Sequence, residues 1–351
     1  MEQVRFGSMK DGTNVCLFTL KNKNGMEAVV TDLGAGLVAL RVPDKNGNKV
    51  DVVTGYQTVD EYERNPVNFG ACIGRNGNRI DGPSFTLNGK TYQLAETQPT
   101  VNLHSGPNGY CKRKWNFETE VNEDSESVIF YINSPDGDQG YPGNMDVEVS
   151  YTLTDDNELM LEYYGLSDQD TIMNMTNHTY FNLNGHGSGT VLNHRLTLLS
   201  DAYCPADARQ ITTGEEKDVT GTPFDFRTEK TIGQDIFADD PDLKIGMGYD
   251  SNFVINDNTV KEEAEYFGRL VGDQSGIVME MYTDLPGVQF YTANKTDYPN
   301  GKDGVHYGKH CAACFETQYA PNAINLPNFV SPVIKAGEER TTLTVYRFTT
   351  E

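Results

Sequence analysis

Residues 176–183 read Thr-Asn-His-Thr-Tyr-Phe-Asn-Leu, and their alternation is the clearest structural signal in the chain. An extended strand here places Thr176, His178 and Tyr180 on one face. Asn174 and Asn182, at either end of this segment, fall on the same face. Amides, hydroxyls and an imidazole are costly to bury without partners, so this face is poorly suited to a hydrophobic core. It suits the wall of a site for a ligand rich in hydroxyl groups.

Strand-like patterns continue along the chain, while helical periodicity is limited to residues 59–64 and 260–266. Asn88-Gly89 predicts the turn of a β-hairpin over 85–92, because such turns need positive φ. We therefore expect an all-β protein: one large antiparallel β-sandwich domain over residues 1–351, with very little helix. The other predicted strands are 28–33, 37–42, 128–133, 145–153, 159–166, 191–199, 276–282, 288–293 and 341–348.

The composition restricts the class of partner. The formal net charge of −23 argues against nucleic acid or an anionic membrane, since both require a basic surface. No run of about twenty apolar residues suggests a membrane-spanning helix. The first residues lack the features of a signal peptide, and the six cysteines are scattered. We therefore expect a cytoplasmic protein with reduced thiols and a small-molecule ligand.

A second polar segment, Phe315-Glu316-Thr317-Gln318, follows several small residues. In a strand, Glu316 shares its face with Ala312 and Cys314, which leave room for a ligand beside the carboxylate. If Glu316 faces the same space as His178, the two could act as general base and general acid near neutral pH. The alternatives are a buried, satisfied histidine and a solvent-facing glutamate on an edge strand.

Weaker signals lie in three other segments. Gln289 and Tyr291 share one face of the strand at 288–293, where they suit either a polyol or cross-strand pairing. His104 follows a strand-like run and would lie at the mouth of a loop. Asp250 is a loop carboxylate that could accept bonds from two hydroxyls, although aspartate is also common in turns.

Two further groups of residues, a pair of arginines and a set of zinc-compatible side chains, are open to more than one interpretation. Arg75 and Arg79 lie among turn-forming residues, so they are either guanidinium groups reaching into a pocket or surface arginines of a solvated turn. Zinc-compatible side chains also occur close together near the end of the chain. Nearby glycines disfavour the helix that would align them, and a strand would split the cysteines between faces, so we predict no metal site. These four residues are His306, His310, Cys311 and Cys314.

Together, these segments resemble the aldose 1-epimerase family, with motifs in the same order through most of the chain. The resemblance implies a supersandwich fold with an open sugar cleft and no cofactor. It also implies that Glu316 is the catalytic base and His178 the catalytic acid. The implied substrate-binding residues are Asn78, Arg79, His104, Tyr180, Asp250 and Gln289. The matching motifs are residues 78–80, 102–104, 134–137, 140–143, 176–183, 222–226, 249–250, 287–294, 316–318 and 327–329.

The resemblance further implies interconversion of the α and β anomers of free hexoses such as galactose and glucose, by a monomer or homodimer. Ser105 and Ser251 depart from the family pattern, which leaves the preferred hexose open. One alternative is a hexose-6-phosphate 1-epimerase, for which Arg75 and Arg113 could supply phosphate-binding charge. The other is a sugar-binding module without catalysis, although binding alone would not require an acid–base pair.

Overall fold

A computed structural model describes all 351 residues. Strands account for 44% of the chain and helices for 9%, which confirms the predicted all-β class. The α-helices are α1 (Val59–Arg64) and α2 (Pro241–Gly246). Single 3₁₀ turns occupy Tyr110–Lys112, Asp138–Gly140, Ile232–Gln234, Asn256–Asn258, Lys302–Gly304 and Ala323–Asn325. No helix has the length and apolar character needed to cross a membrane.

The structure contains 28 strands. From the amino terminus to the middle of the chain they are β1 (Glu2–Ser8), β2 (Asn14–Lys21), β3 (Glu27–Thr31), β4 (Gly36–Pro43), β5 (Lys49–Asp51), β6 (Cys72–Ile73), β7 (Arg79–Asp81), β8 (Ser84–Leu87), β9 (Lys90–Gln93), β10 (Val101–Leu103), β11 (Asn116–Val121), β12 (Ser125–Ser134), β13 (Met145–Thr154) and β14 (Glu158–Ser167). The remaining strands are β15 (Thr171–Ile172), β16 (Thr176–Asn177), β17 (Tyr180–Phe181), β18 (Arg195–Leu198), β19 (Ala202–Cys204), β20 (Lys217–Asp218), β21 (Lys230–Thr231), β22 (Asp250–Val254), β23 (Glu265–Val271), β24 (Ile277–Thr283), β25 (Gly287–Tyr291), β26 (Ala313–Gln318), β27 (Val333–Ile334) and β28 (Glu339–Thr350).

Three antiparallel sheets form the framework. The largest has nine strands in the order β11-β12-β13-β14-β28-β24-β23-β18-β21. The second has six strands in the order β17-β26-β25-β22-β19-β20, and the third runs β1-β2-β3-β4-β5. Four two-stranded pairs complete the set: β7 with β10, β8 with β9, β6 with β16 and β15 with β27.

One hydrophobic core joins the three large sheets. In β13, buried and more exposed residues alternate over the whole strand, so only one face of the nine-stranded sheet turns inward. A cluster of 53 buried residues includes Phe18 of β2, Val149 of β13 and Phe315 of β26. Burial of this apolar surface is the main force that holds the sheets face to face.

The six-stranded sheet is buried on both faces at strand β26, which lies next to the edge strand β17. All six residues of β26 are buried. Phe315 belongs to the hydrophobic core, while Glu316 points to the opposite face. The hydroxyls of Thr317 and Thr344 lie 2.6 Å apart and link β26 to the nine-stranded sheet. A carboxylate is therefore held on the outer face of a firmly packed strand.

Local sequence signals predicted some elements well. The hairpin of β8 and β9 turns at Asn88-Gly89, whose φ angles are +51° and +76°. Helix α1 spans the predicted 59–64 and begins with a capping box between Thr58 and Glu61. The predicted helix at 260–266 is wrong, because residues from Glu265 onward pair with β24 instead. The residues before Glu265 are not helical either, and the Lys261 backbone N–H donates to the Asp284 carbonyl at 2.8 Å. These tertiary contacts override the helix propensity of the lysine and glutamates.

The segment around His178 is not one continuous strand. β16 pairs with β6, whereas β17 pairs with β26 of the six-stranded sheet. Residues 171–183 are buried on both faces, and Asn177 donates hydrogen bonds to Gly70 and Tyr151 on the core side. The chain therefore crosses between sheets at His178, and only part of the predicted polar face meets a cavity.

Candidate active site

A cavity of about 230 Å³ opens over the face of the six-stranded sheet that carries Glu316. This volume is below the range of about 300–1,000 Å³ that is typical for drug-sized ligands, so it fits a smaller molecule. All eight residues predicted for the site line this cavity: Asn78, Arg79, His104, His178, Tyr180, Asp250, Gln289 and Glu316. The other lining residues are Pro66, Val67, Asn68, Gln98, Leu103, Tyr291, Lys295 and Thr296.

Sheet register explains why residues far apart in sequence meet here. Glu316 lies directly opposite Gln289, and Asp250 lies directly opposite Tyr291. Tyr180 is opposite Cys314, two residues before Glu316. Directly paired residues in an antiparallel sheet project to the same side, so these side chains share the cavity face. Asp250 begins strand β22, and its predicted position in a loop is wrong.

His178 and Glu316 lie side by side in the cavity. His178 Nε2 lies 3.6 Å from Glu316 Oε1, and the two residues are 7% and 2% exposed. The His178 ring stacks on Tyr180, with centroids 4.9 Å apart and an interplanar angle of 13°. The hydroxyl of Tyr180 donates to the Val67 carbonyl at 3.1 Å, so its ring, rather than its hydroxyl, faces the cavity chemistry.

Burial moves the two pKa values in opposite directions, because it disfavours the charged form of each group. Burial raises the pKa of Glu316 to about 8; Asp250 adds to this effect and Arg79 opposes it. Burial lowers the pKa of His178 to about 4, against a smaller opposing effect of a backbone hydrogen bond. Between these values the pair holds one proton in total.

Some residues that line the cavity also carry buried polar atoms that lack partners within the protein. Four of the twelve buried side-chain atoms without a hydrogen bond belong to lining residues: Arg79 Nε, His178 Nδ1, Gln289 Oε1 and Glu316 Oε2. Buried polar atoms are normally paired, because an unpaired one costs roughly 1–3 kcal/mol. Donors and acceptors are both represented, which matches a polyhydroxyl ligand that can donate and accept.

His104 enters the cavity from the turn after β10. Its φ of +51° and that of Ser105, +67°, lie in the left-handed region. His104 Nδ1 accepts the Asn78 backbone N–H at 3.2 Å, so the neutral ring carries its hydrogen on Nε2. Burial, and secondarily the charges of His178 and Arg79, hold the His104 pKa well below its usual value. His104 is therefore a neutral donor.

The two serines that depart from the family pattern do not line the cavity. Ser105 Oγ is bonded to the backbone of Asn76, accepting from its N–H at 2.6 Å and donating to its carbonyl at 3.0 Å. Ser251 is paired with Phe290, one position along the strand from the cavity-facing Asp250. Neither serine would therefore contact a ligand in this cavity directly.

His104, His178 and Glu316 have potential metal-ligand atoms within 4.8 Å of one another. A metal-bound imidazole normally donates its other N–H to an acceptor. His104 shows the reverse arrangement, because its Nδ1 accepts a backbone N–H and its Nε2 carries hydrogen. This donor set therefore suits proton transfer better than metal binding. The other zinc-compatible group is dispersed: His306 pairs with Asp297, and His310 Nδ1 lies 3.0 Å from the Thr292 carbonyl.

The two arginines of the 74–80 segment have different environments. Arg75 is neither a pocket guanidinium nor a surface arginine. Arg75 is 1% exposed, so it is not a surface arginine of a solvated turn. It does not line the cavity either, because its guanidinium is bonded to five residues on the far side. These partners are Ser134, Pro135, Pro142, Gly143 and Thr171. Arg113, also considered as a phosphate ligand, forms a two-bond ion pair with Asp138.

Sequence reasoning missed several residues around the cavity. Lys295 and Gln98 line it directly. Gln210 stands behind it and contacts Arg79 and Asp250. No local pattern marks these three, because each belongs to a loop whose position depends on distant parts of the chain.

Comparisons with known proteins agree with this fold. The family model for aldose 1-epimerase matches residues 17–347. The galactose mutarotase of Sus scrofa is 38% identical over 335 residues, which cover 95% of this chain and 94% of that protein. The aldose 1-epimerase of Escherichia coli K12 is 35% identical over 343 residues, or 97% of each chain. The crystal structure of a GalM/aldose epimerase homologue from C. elegans is 31% identical, with a TM-score of 0.84, and the match covers 95% of this chain and 98% of that one. The chain therefore belongs to the aldose 1-epimerase family and is an isomerase.

Proposed function

We propose that this enzyme interconverts the α and β anomers of free hexoses, with Glu316 as general base and His178 as general acid. The observation that carries this assignment is the 3.6 Å approach of the two side chains in a buried, polar cavity. The relatives, a galactose mutarotase and an aldose 1-epimerase, support the reaction class. The unpartnered atoms of the lining residues support a ligand that supplies hydroxyl groups.

The proton needed for the reaction is already in the pair. The neutral form, with a carboxylic acid and an imidazole, holds as many protons as the ionic form, with a carboxylate and an imidazolium. A sugar hydroxyl that donates to Glu316 stabilises its carboxylate. The shared proton then resides on His178, so substrate binding creates the reactive form without uptake from solvent.

Ring opening follows from this arrangement. Glu316 takes the proton from the C1 hydroxyl, and the O–H electron pair forms the C1=O bond as the C1–O5 bond breaks. His178 gives its proton to O5, so the product is the open-chain aldehyde. Rotation about C1–C2 presents the other face of the carbonyl, and the same two groups act in reverse. No oxidation state changes, and each group contributes about 10²- to 10⁴-fold in rate.

The other lining residues would hold the ring in place. His104 Nε2 offers a neutral donor, and Asp250 and Gln289 offer acceptors. Arg79 Nε is a buried donor without a protein partner. Tyr180 would act mainly by stacking, because it fixes the plane of the His178 ring. Asn78 would contribute through its backbone N–H, which sets the hydrogen position on His104.

The alternatives receive less support. A hexose-6-phosphate 1-epimerase would need cationic side chains for the phosphate, but Arg75 and Arg113 are bonded elsewhere. Among lysines and arginines, only Arg79 and Lys295 line the cavity. A binding module without catalysis would not need an acid–base pair. Polarimetry of freshly dissolved α-galactose tests the reaction, and a coupled assay with glucose and glucose 6-phosphate tests the substrate. Faster turnover of the phosphate ester would reject our assignment.

We further propose a cytoplasmic monomer or homodimer. All six cysteines are free, as a reducing compartment requires. Light scattering coupled to gel filtration would determine the mass in solution. A species larger than a dimer would contradict this part of the proposal.

A further inference from the structure

Gln210 lies in the loop between β19 and β20, outside the cavity lining but against three of its residues. Its side-chain Nε2 donates to Asp250 Oδ2 at 2.6 Å. Its Oε1 accepts from Arg79 Nη2 at 3.0 Å and from Lys295 Nζ at 2.6 Å. This orientation of the amide is the only favourable one, because the flipped form would place its N–H groups against two cations.

The loop around Gln210 is anchored next to the same strand that carries Arg79. Arg209 donates to Asp81 of β7 at 2.8 Å and to the nearby Asp207 at 2.9 Å. Asp207 also accepts the backbone N–H groups of Arg209 and Ile211. Adjacent loop residues, 209 and 210, thus contact alternate residues of β7, 81 and 79. This pairing fixes the loop relative to the cavity wall.

The contacts of Gln210 have a direct consequence for ligand binding. Asp250 receives one N–H on each oxygen, from Gln289 on Oδ1 at 2.7 Å and from Gln210 on Oδ2. Both oxygens are therefore fixed in direction, and their remaining lone pairs are available to sugar hydroxyls. Gln210 also holds one end of the Arg79 guanidinium, while the buried Nε has no protein partner.

We propose that Gln210 is a positioning residue that sets sugar affinity and specificity by holding Asp250 and Arg79 in their binding orientations. This inference rests on the proposed function, because it takes a hexose as the ligand of the cavity. Gln210 contacts neither His178 nor Glu316, so its main effect falls on ring binding. Its effect on proton transfer is the smaller one, through Asp250 and Arg79, which shift the Glu316 pKa in opposite directions. Its loss therefore raises KM with little change in kcat.

The test compares Gln210→Leu and Gln210→Glu with the wild type, using initial rates of galactose mutarotation. The leucine removes both halves of the amide contact, whereas the glutamate keeps the acceptor for Arg79 and Lys295 but faces Asp250 with a like charge. We expect KM to rise about 10- to 100-fold in both variants, as for the loss of a hydrogen bond to a charged group, with kcat within about threefold. Ala208→Gln, at an exposed position of the same loop, is the control and should match the wild type.

Deoxygalactoses identify the hydroxyl involved. The KM penalty of Gln210→Leu should shrink for the 2-, 3-, 4- or 6-deoxy sugar that lacks a hydroxyl bound by Asp250, because that contact is then absent in both proteins. A KM within twofold of the wild type, a loss confined to kcat, or an equal penalty with every deoxy sugar would overturn the inference.

Galactose binding to the Glu316→Gln background, measured by calorimetry, separates this inference from the proposed catalysis. Weaker binding on adding Gln210→Leu supports the positioning role even if the wild type shows no mutarotation, a result that would reject only the catalysis. Unchanged binding would reject the role of Gln210 while leaving the catalysis intact.

Discussion

Arg75 and Arg79 lie four residues apart, and both are at least nine-tenths buried, yet their surroundings differ completely. All three guanidinium nitrogens of Arg75 are bonded, and every partner is a backbone carbonyl or a hydroxyl. Arg79 has one protein partner, Gln210, and its Nε has none. A buried charge with every donor satisfied stabilises the local fold, whereas one with free donors is prepared for a ligand.

The largest expected effect belongs to the proton-transfer pair. Glu316→Gln and His178→Asn should each reduce kcat for galactose mutarotation by about 10²- to 10⁴-fold, because each removes one proton transfer. The double variant should lose little more than the worse single one, since the two groups act as a unit. Polarimetry gives the rates, and circular dichroism checks the fold. Near-normal rates in both folded single variants would remove the pair from the mechanism.

The next effect is on stability and concerns the satisfied arginine. Arg75→Ala should lower the free energy of unfolding by roughly 3 kcal/mol or more, because several buried acceptors lose their donor at once. Urea denaturation measures this loss. The exposed Arg5 provides the control, and its replacement by alanine should change stability by no more than about 0.5 kcal/mol. If Arg75→Ala proved as stable as the control, satisfied hydrogen bonding would not explain why this arginine is buried.

Arg79 should show the opposite pattern. Arg79→Lys keeps the charge but loses the planar fork, so we expect kcat/KM for galactose to fall about 10- to 100-fold. Its unfolding midpoint in urea should remain close to that of the wild type, because most of its donors have no protein partner to lose. A large loss of stability with normal kcat/KM would mean that the two arginines play the same structural role.

The pH dependence of kcat/KM follows from the one-proton state of the pair. The rate should be level between about pH 4 and pH 8, the pKa values of His178 and Glu316. Below this window a second proton blocks the carboxylate base; above it the shared proton is lost and no acid remains. Each limb should fall about tenfold per pH unit. A rate that stays level up to pH 10 in folded protein would contradict a shared proton.

The smallest effect is a pH-dependent gain in stability. Because folding raises the Glu316 pKa from 4.5 to about 8, the native state binds this proton more tightly than the unfolded state. That contribution is complete below about pH 4.5 and is lost as pH rises through 8. Glu316→Gln should therefore gain stability relative to the wild type between pH 5 and 8.5, by about 2 °C or more in melting temperature. A difference that stays constant with pH would show that Glu316 is not destabilised by burial.

The sequence predicted those parts of the fold that depend on local patterns. Alternation located strands such as β13 and β14, and Asn88-Gly89 located a hairpin turn. The helix expected at 260–266 was wrong because Glu265 and Tyr266 join a strand and the Lys261 backbone donates to Asp284, contacts that helix propensity does not contain. The short helix α2 was missed, although α1, which has the same length, was predicted.

The candidate site could be predicted only where a motif named its residues. All eight predicted side chains line one cavity, and their roles remain predictions. The sequence could not show which of Arg75 and Arg79 lines the cavity, because the partners of Arg75 lie 59 to 96 residues away. Gln210 could not be predicted for the same reason, because it lies 131 positions from Arg79 in the sequence.

The structure of the enzyme with galactose bound tests the central claim most directly. We expect the C1 hydroxyl oxygen within about 2.6–3.2 Å of a Glu316 carboxylate oxygen, and the ring oxygen O5 at a similar distance from a nitrogen of His178. A sugar seated in the same cavity with C1 at its open mouth, beyond reach of both side chains, would contradict proton transfer by this pair.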